Sequence, residues 1–274
     1  MKTPTLSRDP TPLLVVGSGI AGLLVALRAA ADGPVIVITK ADLQEGSTRH
    51  AQGGLAAAVG RGDSTGAHLA DTLAVGAGLS DRAAAVLMCA EAPARVADLL
   101  ALGVPFDRER GRLSLAREGA HSAPRVLHAG GDATGAHLAA TLAAAARSHP
   151  QIAIAEGETA LEVVVRDGRA AGLRTRDGRG LERVREGRAV VLATGGSGQL
   201  FSRTTNPPVA TADGPALASR AGAALADLEL IQFHPTALAV GASPLPLVSE
   251  AVRGEGAVLR DAAGRRFMLD LHPL

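Results

Sequence analysis

The chain has 274 residues, of which 47% are hydrophobic and 20% charged, enough apolar material to bury a sizeable core and too little charge for a disordered polymer. A net charge of +1, with four Phe and no Trp or Tyr, gives neither an electrostatic nor a base-stacking case for nucleic acid. The single cysteine, Cys89, excludes an internal disulfide and any cysteine-held zinc or iron–sulfur site, and it fits a reducing compartment such as the cytoplasm.

Met1 to Pro12 is polar and proline-containing and lacks the apolar centre of a secretory signal, so residues 1–12 read as a frayed leader. Leu13 to Val16 is a short, wholly apolar run, the pattern of a parallel strand covered on both faces. Gly17, Gly19 and Gly22 follow in GxGxxG spacing. They permit a tight turn, close approach of a pyrophosphate to the backbone, and close packing of the next helix. That helix is predicted over 20–31, its free N–H groups and positive dipole end facing the phosphates, and Val35 to Thr39 is the second buried strand. The apolar stretch 13–31 also invites a membrane-span reading, but three glycines and Arg28 interrupt it and strand formers open it. The order strand, turn, helix, strand favours a nucleotide cradle.

At the end of the second strand, where many dinucleotide folds carry an acid for the ribose, stands Lys40. A lysine there suits either the phosphorylated ribose of NADP or the pyrophosphate or adenosine of another dinucleotide. Glu45 to Gly54, EGSTRHAQGG, is a small polar loop closed by glycines, able to wrap the middle and ring of a flavin. A helix is predicted over 68–75, and Asp81 is a good N-cap for a helix reaching Gly103, with Pro93 expected to kink or split it. Cys89 falls among apolar neighbours on that helix and reads as a packed thiol. His121, His128, His137 and His149 have the wrong spacing for a zinc site, so no metal is expected. After a helix over 136–148, the segments 152–156, 160–166, 170–175 and 181–185 alternate around Asp167-Gly168 and Asp177-Gly178. They read as an antiparallel meander with solvated arginines. Ala189 to Ala193 is another buried strand, ending in Thr194-Gly195-Gly196.

GSGIAG, then Lys40, then GSTRHAQGG resembles the flavoprotein superfamily of fumarate reductase, succinate dehydrogenase and L-aspartate oxidase. Within it, Leu115 to Gly135 (LAREGAHSAPRVLHAGGDATG) is similar to the L-aspartate oxidase version of the segment. The resemblance implies an α/β, Rossmann-like FAD-binding domain with a β-meander insertion over 13–227, and the beginning of an α+β capping domain over 228–274. It implies FAD as cofactor, held by Gly17, Ser18, Gly19, Ile20, Ala21 and Gly22, by Lys40, and by Ser47, Thr48, Arg49, His50, Ala51, Gln52, Gly53 and Gly54. Ala193, Thr194, Gly195, Gly196 and Asp213 complete that set. The position five before Gln52, where respiratory members carry a flavin-linked histidine, is Ser47, which implies non-covalent FAD.

For the substrate site the resemblance implies Glu118 facing the amino group of L-aspartate, His234 on a carboxylate, and the pair Ser249-Glu250 beside the substrate. Arg253 would assist electrostatically, and Arg125 and His128 would shape the pocket behind the flavin. The implied reaction takes a hydride from Cα of L-aspartate to flavin N5, giving iminoaspartate, the first step of NAD biosynthesis. O2 (giving peroxide) or fumarate reoxidises the flavin, and quinolinate synthase is a channelling partner; no membrane or nucleic acid is involved. Family members continue beyond Leu274 with an acid/base arginine and a second substrate histidine, so the chain is expected to be a fragment, inactive alone. A fumarate reductase or succinate dehydrogenase-type subunit and a non-catalytic truncated chain are the alternatives.

Overall fold

The computed structural model describes residues 11–249, 252 and 256–271. Strand β1 (Leu13–Val16) turns through Gly17 into helix α1 (Ile20–Ala29), followed by β2 (Val35–Thr39), the two-residue strand β3 (Leu55–Ala56), and helices α2 (Thr65–Val75) and α3 (Arg82–Ala101). Short strands β4 (Arg108–Glu109), β5 (Arg112–Leu113), β6 (Leu115–Ala116) and β7 (Val126–Leu127) precede α4 (Thr134–Ser148). The chain continues through β8 (Ile152–Glu156), β9 (Thr159–Arg166), β10 (Arg169–Arg176), β11 (Glu182–Glu186) and β12 (Ala189–Leu192) to α5 (Asp213–Arg220). Beyond α5, one antiparallel bridge, Ala237 to Leu247, is formed among the described residues.

The organising sheet is parallel, in the order β12-β1-β2-β8. Alternate residues of β1 serve two separate layers, which is why its sequence is apolar throughout. Leu13 and Val15 join Leu23 and Ala26 of α1 and Leu138, Leu142 and Ala146 of α4; Leu14 and Val16 join Ile38, Val163, Leu173 and Leu217 on the other face. Each fully buried Leu or Val contributes about 1.5–3 kcal/mol of burial free energy. The successive strand β2 and, through α4, β8 build outward on one side of β1 while β12 closes the other. Direction therefore reverses at β1/β12, and the carboxyl ends of all four strands open on one edge.

Several expectations are corrected. Residues 152–156 do not belong to the meander: they form β8, an edge strand parallel to β2, with Ile152 and Ile154 turned into one core layer and Ala153 exposed on the other face, an alternation that a meander strand shares. The meander has three strands, β9, β10 and β11. Its first turn is tight, with Asp167 and Gly168 both at positive φ (49° and 73°). The second is longer: the Asp177 carboxylate accepts from the amides of Arg179 and Leu181, and the positive φ falls on Gly180. Pro93 lies inside one continuous helix, since it removes a single N–H while buried Cys89, Val96 and Leu99 anchor both halves of α3. Helix α1 stops at Ala29, and α2 starts earlier than expected because Ser64 caps it, accepting from Ala67 N at 3.1 Å. Asp81 caps α3 as its sequence position suggests, accepting from Ala84 N at 2.7 Å. Of the expected leader, only Thr11 and Pro12 fall within the described residues, and Pro12 O accepts from Arg188 N beside β1.

Candidate functional site

The glycines of the β1–α1 turn are set by contacts. Gly17 has φ +106°, and a Cβ there would lie 2.2 Å from Ala193 O; one on Gly22 would lie 2.1 Å from Gly17 O. The turn is thus pressed between β12 and α1. Ser18 Oγ donates to Thr39 Oγ1 at 3.0 Å, and the first helical amide, Ile20 N, donates to Thr48 Oγ1 at 3.0 Å. The N-cap residue, Gly19, has no side chain to cap the helix, and the amides after Ile20 and the positive dipole end face a cavity of about 500 Å³ at the carboxyl edge of the sheet. Gly17, Ser18, Gly19, Ile20, Ala21, Lys40, Ser47, Thr48, Ala193, Thr194, Gly195, Gly196 and Asp213 all line it, while Gly22 stands behind them as a packing position. A dinucleotide fits this seat: bare backbone where phosphates must come close, at a helix N-terminus, in a cleft of ligand size.

Lys40, which lines this cavity, also makes a contact that the sequence alone does not reveal. Its ammonium is bound by Asp213 Oδ2 at 2.6 Å and by Thr211, so the end of β2 is tied to the start of α5 and the charge that would hold a ribose phosphate is neutralised. Gly214 next door packs closely: a Cβ there would lie 2.0 Å from Thr194 Oγ1, which would have to turn away. Glu158, also lining the cavity, escaped the sequence reading. It is buried and gripped at both oxygens by Arg185 at 2.6 Å, so Arg185 is not a solvated charge, unlike Arg166, Arg174 and Arg183, which pair on the open face of the meander. Arg185 holds the Glu158 carboxyl below its ordinary range. The one signal was position: Glu158 extends the ladder past β8, donating from its amide to Thr39 O.

A second cavity, of about 790 Å³, lies at the far end of the EGSTRHAQGG loop. His50, Ala51, Gln52, Gly53 and Gly54 line it, whereas Arg49 lines neither cavity. His50 approaches Glu45 at 3.6 Å. Gly54 and Gly135 let the loop close on its supports: a Cβ on Gly54 would meet Leu127 O at 2.5 Å, and one on Gly135 would meet Thr48 O at 1.9 Å. Gly135 N also donates to Ala51 O at 3.0 Å, a role in loop placement visible only in three dimensions. Asp107 accepts from Gly131 N and Gly130 N, which lower its pKa and fix the opposite wall.

Glu118, His128, His234 and Ser249 converge on this second cavity, although 131 positions separate the first from the last. A short ladder joins the last two. Val248 N donates to Thr236 O at 2.9 Å and Thr236 Oγ1 to Val248 O at 2.9 Å, so the residues flanking it, His234 and Ser249, arrive together. Thr236 N donates to His234 Nδ1 at 3.2 Å; a neutral ring therefore carries its proton on Nε2. Arg117 does not pair with Glu118 but donates from Nε to His121 O. Glu250 and Arg253 lie outside the described residues.

Arg125 itself lines neither cavity. Its guanidinium is fully buried, with two bonds to Asp63 (3.0 and 2.9 Å) and one to Asp71 (2.7 Å). Beside it His68 is buried, and burial first, then Arg125, holds its imidazole below the ordinary 6.5. The unfolded chain thus binds the extra proton first as pH falls, and stability drops from about 6.5 downward to the folded-state value. The melting temperature is expected to decline as pH falls below about 7, and less steeply in His68→Gln. An equal decline in the variant would assign the loss elsewhere. The lowered carboxyls of Asp71, where Ser122 N is the largest cause, of Asp107 and of Glu158 act in a separate window, below their ordinary 3.8–4.5.

Among the described residues no group of three or more His, Cys, Asp or Glu could hold a metal ion, and no helix is long and apolar enough to cross a membrane. The model of the family described as FAD binding domain matches residues 13–274. The chain is 50% identical to an L-aspartate oxidase of Streptomyces coelicolor, over 96% of this chain and 47% of that protein. It is 51% identical to one of Mesorhizobium japonicum, over 94% and 50% respectively. It spans about half the length of these curated relatives. Among solved structures, an E. coli quinol fumarate reductase superposes with a TM-score of 0.89 at 31% identity, over 96% of this chain and 45% of that one.

Proposed function

The chain belongs to the FAD binding domain family, and on that premise we propose that the protein containing it oxidises L-aspartate to iminoaspartate, opening NAD biosynthesis. One observation carries the reading: Glu118, His234 and Ser249 meet in a cavity against the flavin loop, presenting a carboxylate, an imidazole and a hydroxyl to a ligand with one ammonium and two carboxylates. FAD, when bound, supplies the two-electron acceptance at its ring, non-covalently, since Ser47 stands in the linkage position. The residues of the chain supply recognition. The Glu118 carboxylate accepts from the substrate ammonium, and the His234 Nε2–H and the Ser249 hydroxyl orient carboxylate oxygens, with Glu250 adjacent. Identity of about 50% to L-aspartate oxidases supports the same assignment.

The similarity to a quinol fumarate reductase supports a second reading, a fumarate reductase-type flavoprotein. Glu118 speaks against it: a dicarboxylate without an ammonium gives that carboxylate nothing to bind and adds charge repulsion. O2, yielding peroxide, or fumarate would take the electrons. The imine product hydrolyses in water, a reason to pass it directly to quinolinate synthase. A cytoplasmic location belongs to the same proposal, supported by the single cysteine.

Glu118→Gln in the full-length protein is the test. It removes one charge-assisted hydrogen bond, about 1.5–3 kcal/mol, and so should raise KM for L-aspartate roughly ten- to hundredfold while binding of succinate stays level or tightens. Unchanged KM for L-aspartate would reject the assignment of Glu118 and, with it, the substrate.

A further inference from the structure

We propose that the Asp63–Arg125–Asp71–Ser122 network is the positioning device for Glu118, and that selection of an aminated over a plain dicarboxylate substrate depends on it; this rests on the reading of Glu118 given above. The segment carrying Glu118 is a loop between β6 and β7 whose ends are closed by Arg125 N donating to Ala116 O at 3.0 Å. Its tip is a tight turn, with His121 N donating to Glu118 O at 2.9 Å and Arg117 Nε to His121 O at 2.8 Å. Those bonds shape the turn but do not locate it against the cavity. The location comes from α2. Asp71 Oδ2 accepts from Ser122 N at 2.7 Å, from Ser122 Oγ at 2.8 Å and from Arg125 at 2.7 Å, so one carboxylate oxygen on a helix fixes the residue that follows the turn.

Arg125 in turn cannot move, because Asp63, just ahead of the Ser64 cap of α2, holds it with two parallel bonds. The helix, its entry and the far end of the loop thus form one rigid unit. The Glu118 carboxylate itself is exposed and, among the described residues, has no ion-pair partner. Its position is therefore set from behind, through backbone, and a carboxylate displaced by about 1 Å loses an ammonium hydrogen bond without affecting groups that bind the substrate carboxylates. None of Asp63, Asp71, Ser122 or Arg125 lines the cavity.

The experiment is a double-mutant cycle in the full-length, FAD-loaded protein, using Asp71→Asn, Glu118→Gln and the pair. It reads kcat and KM for L-aspartate, and Kd for succinate from the flavin absorbance change. Asp71→Asn is expected to raise KM for L-aspartate about tenfold with kcat and the succinate Kd within about twofold. In the Glu118→Gln background it should add nothing, because the group it positions is already gone. Ser122→Ala, which leaves the Asp71–Arg125 pair in place, should show the same pattern more weakly and serves if Asp71→Asn does not fold. Multiplying effects in the double variant, equal loss of succinate binding, or an unchanged KM in both Asp71→Asn and Ser122→Ala would overturn the proposal. If Glu118→Gln alone leaves KM unchanged, it is the substrate reading that fails first.

Discussion

Gly17→Ala is expected to yield a full-length protein that purifies colourless, with flavin content below about a tenth of the parent's. The added Cβ would lie 2.2 Å from Ala193 O and 2.7 Å from its carbonyl carbon, both backbone atoms that cannot swing away as a side chain tip would. Ala193 is pinned from the other side, its N–H donating to Val16 O at 2.8 Å. Alanine at φ +106° adds about 1–2 kcal/mol of conformational strain. Relief requires β1 and β12 to part at their carboxyl ends, which is where the turn amides and Thr194 form the wall of the first cavity. Gly66→Ala is the matched control. It sits in the first turn of α2 with only Ser64 Oγ near its added Cβ, at 3.8 Å, and should be stabilising by up to about 1 kcal/mol with flavin content unchanged. Parent-like flavin content in Gly17→Ala would show that the pyrophosphate seat lies elsewhere.

Arg125→Met is expected to be the costliest single side-chain change, about 3–5 kcal/mol of folding stability. The guanidinium is fully buried and Asp63 nearly so, at 1% side-chain exposure, so removing the cation strands a carboxylate where water cannot reach it. Adding Asp63→Asn to Arg125→Met should recover part of the loss, because the uncompensated charge rather than the missing contact dominates. Denaturant midpoints with an unchanged m-value are the measurement; a loss below about 1 kcal/mol would mean that Asp63 finds water or another cation in the variant.

The cradle was legible in local sequence because its chemistry is local. A GxGxxG turn after an apolar strand needs glycine for reasons confined to about ten residues, and Gly17, Gly19 and Gly22 do sit between β1, α1 and β12. The loop from Ser47 to Gly54 was legible as a polar, glycine-closed loop but not as a divided one. Its first half lines one cavity and its second half another, while Arg49 faces neither, a split imposed by the close approach of Gly135 and Gly54 to their supports. The pairings of Lys40, Arg125 and Arg185 were not legible for one reason. Each is a cation whose partner lies far away in the chain (Asp213, Asp63 with Asp71, and Glu158), and nothing local announces a pairing across the fold.

The sequence by itself determined the α/β class, the nucleotide turn, an antiparallel meander with its tight Asp167-Gly168 hairpin, and which residue types were available to bind a flavin and an amino diacid. Those features follow from periodicity and backbone sterics over short spans. Only the tertiary structure decided that residues 152–156 pair with β2, that Glu118 shares a cavity with His234 and Ser249, and that a buried arginine between two aspartates stands behind the Glu118 loop. Strand neighbours and ion pairs of this kind depend on which surfaces the folded layers bring together, and the free energy of burying a charge exists only once the chain around it has excluded water.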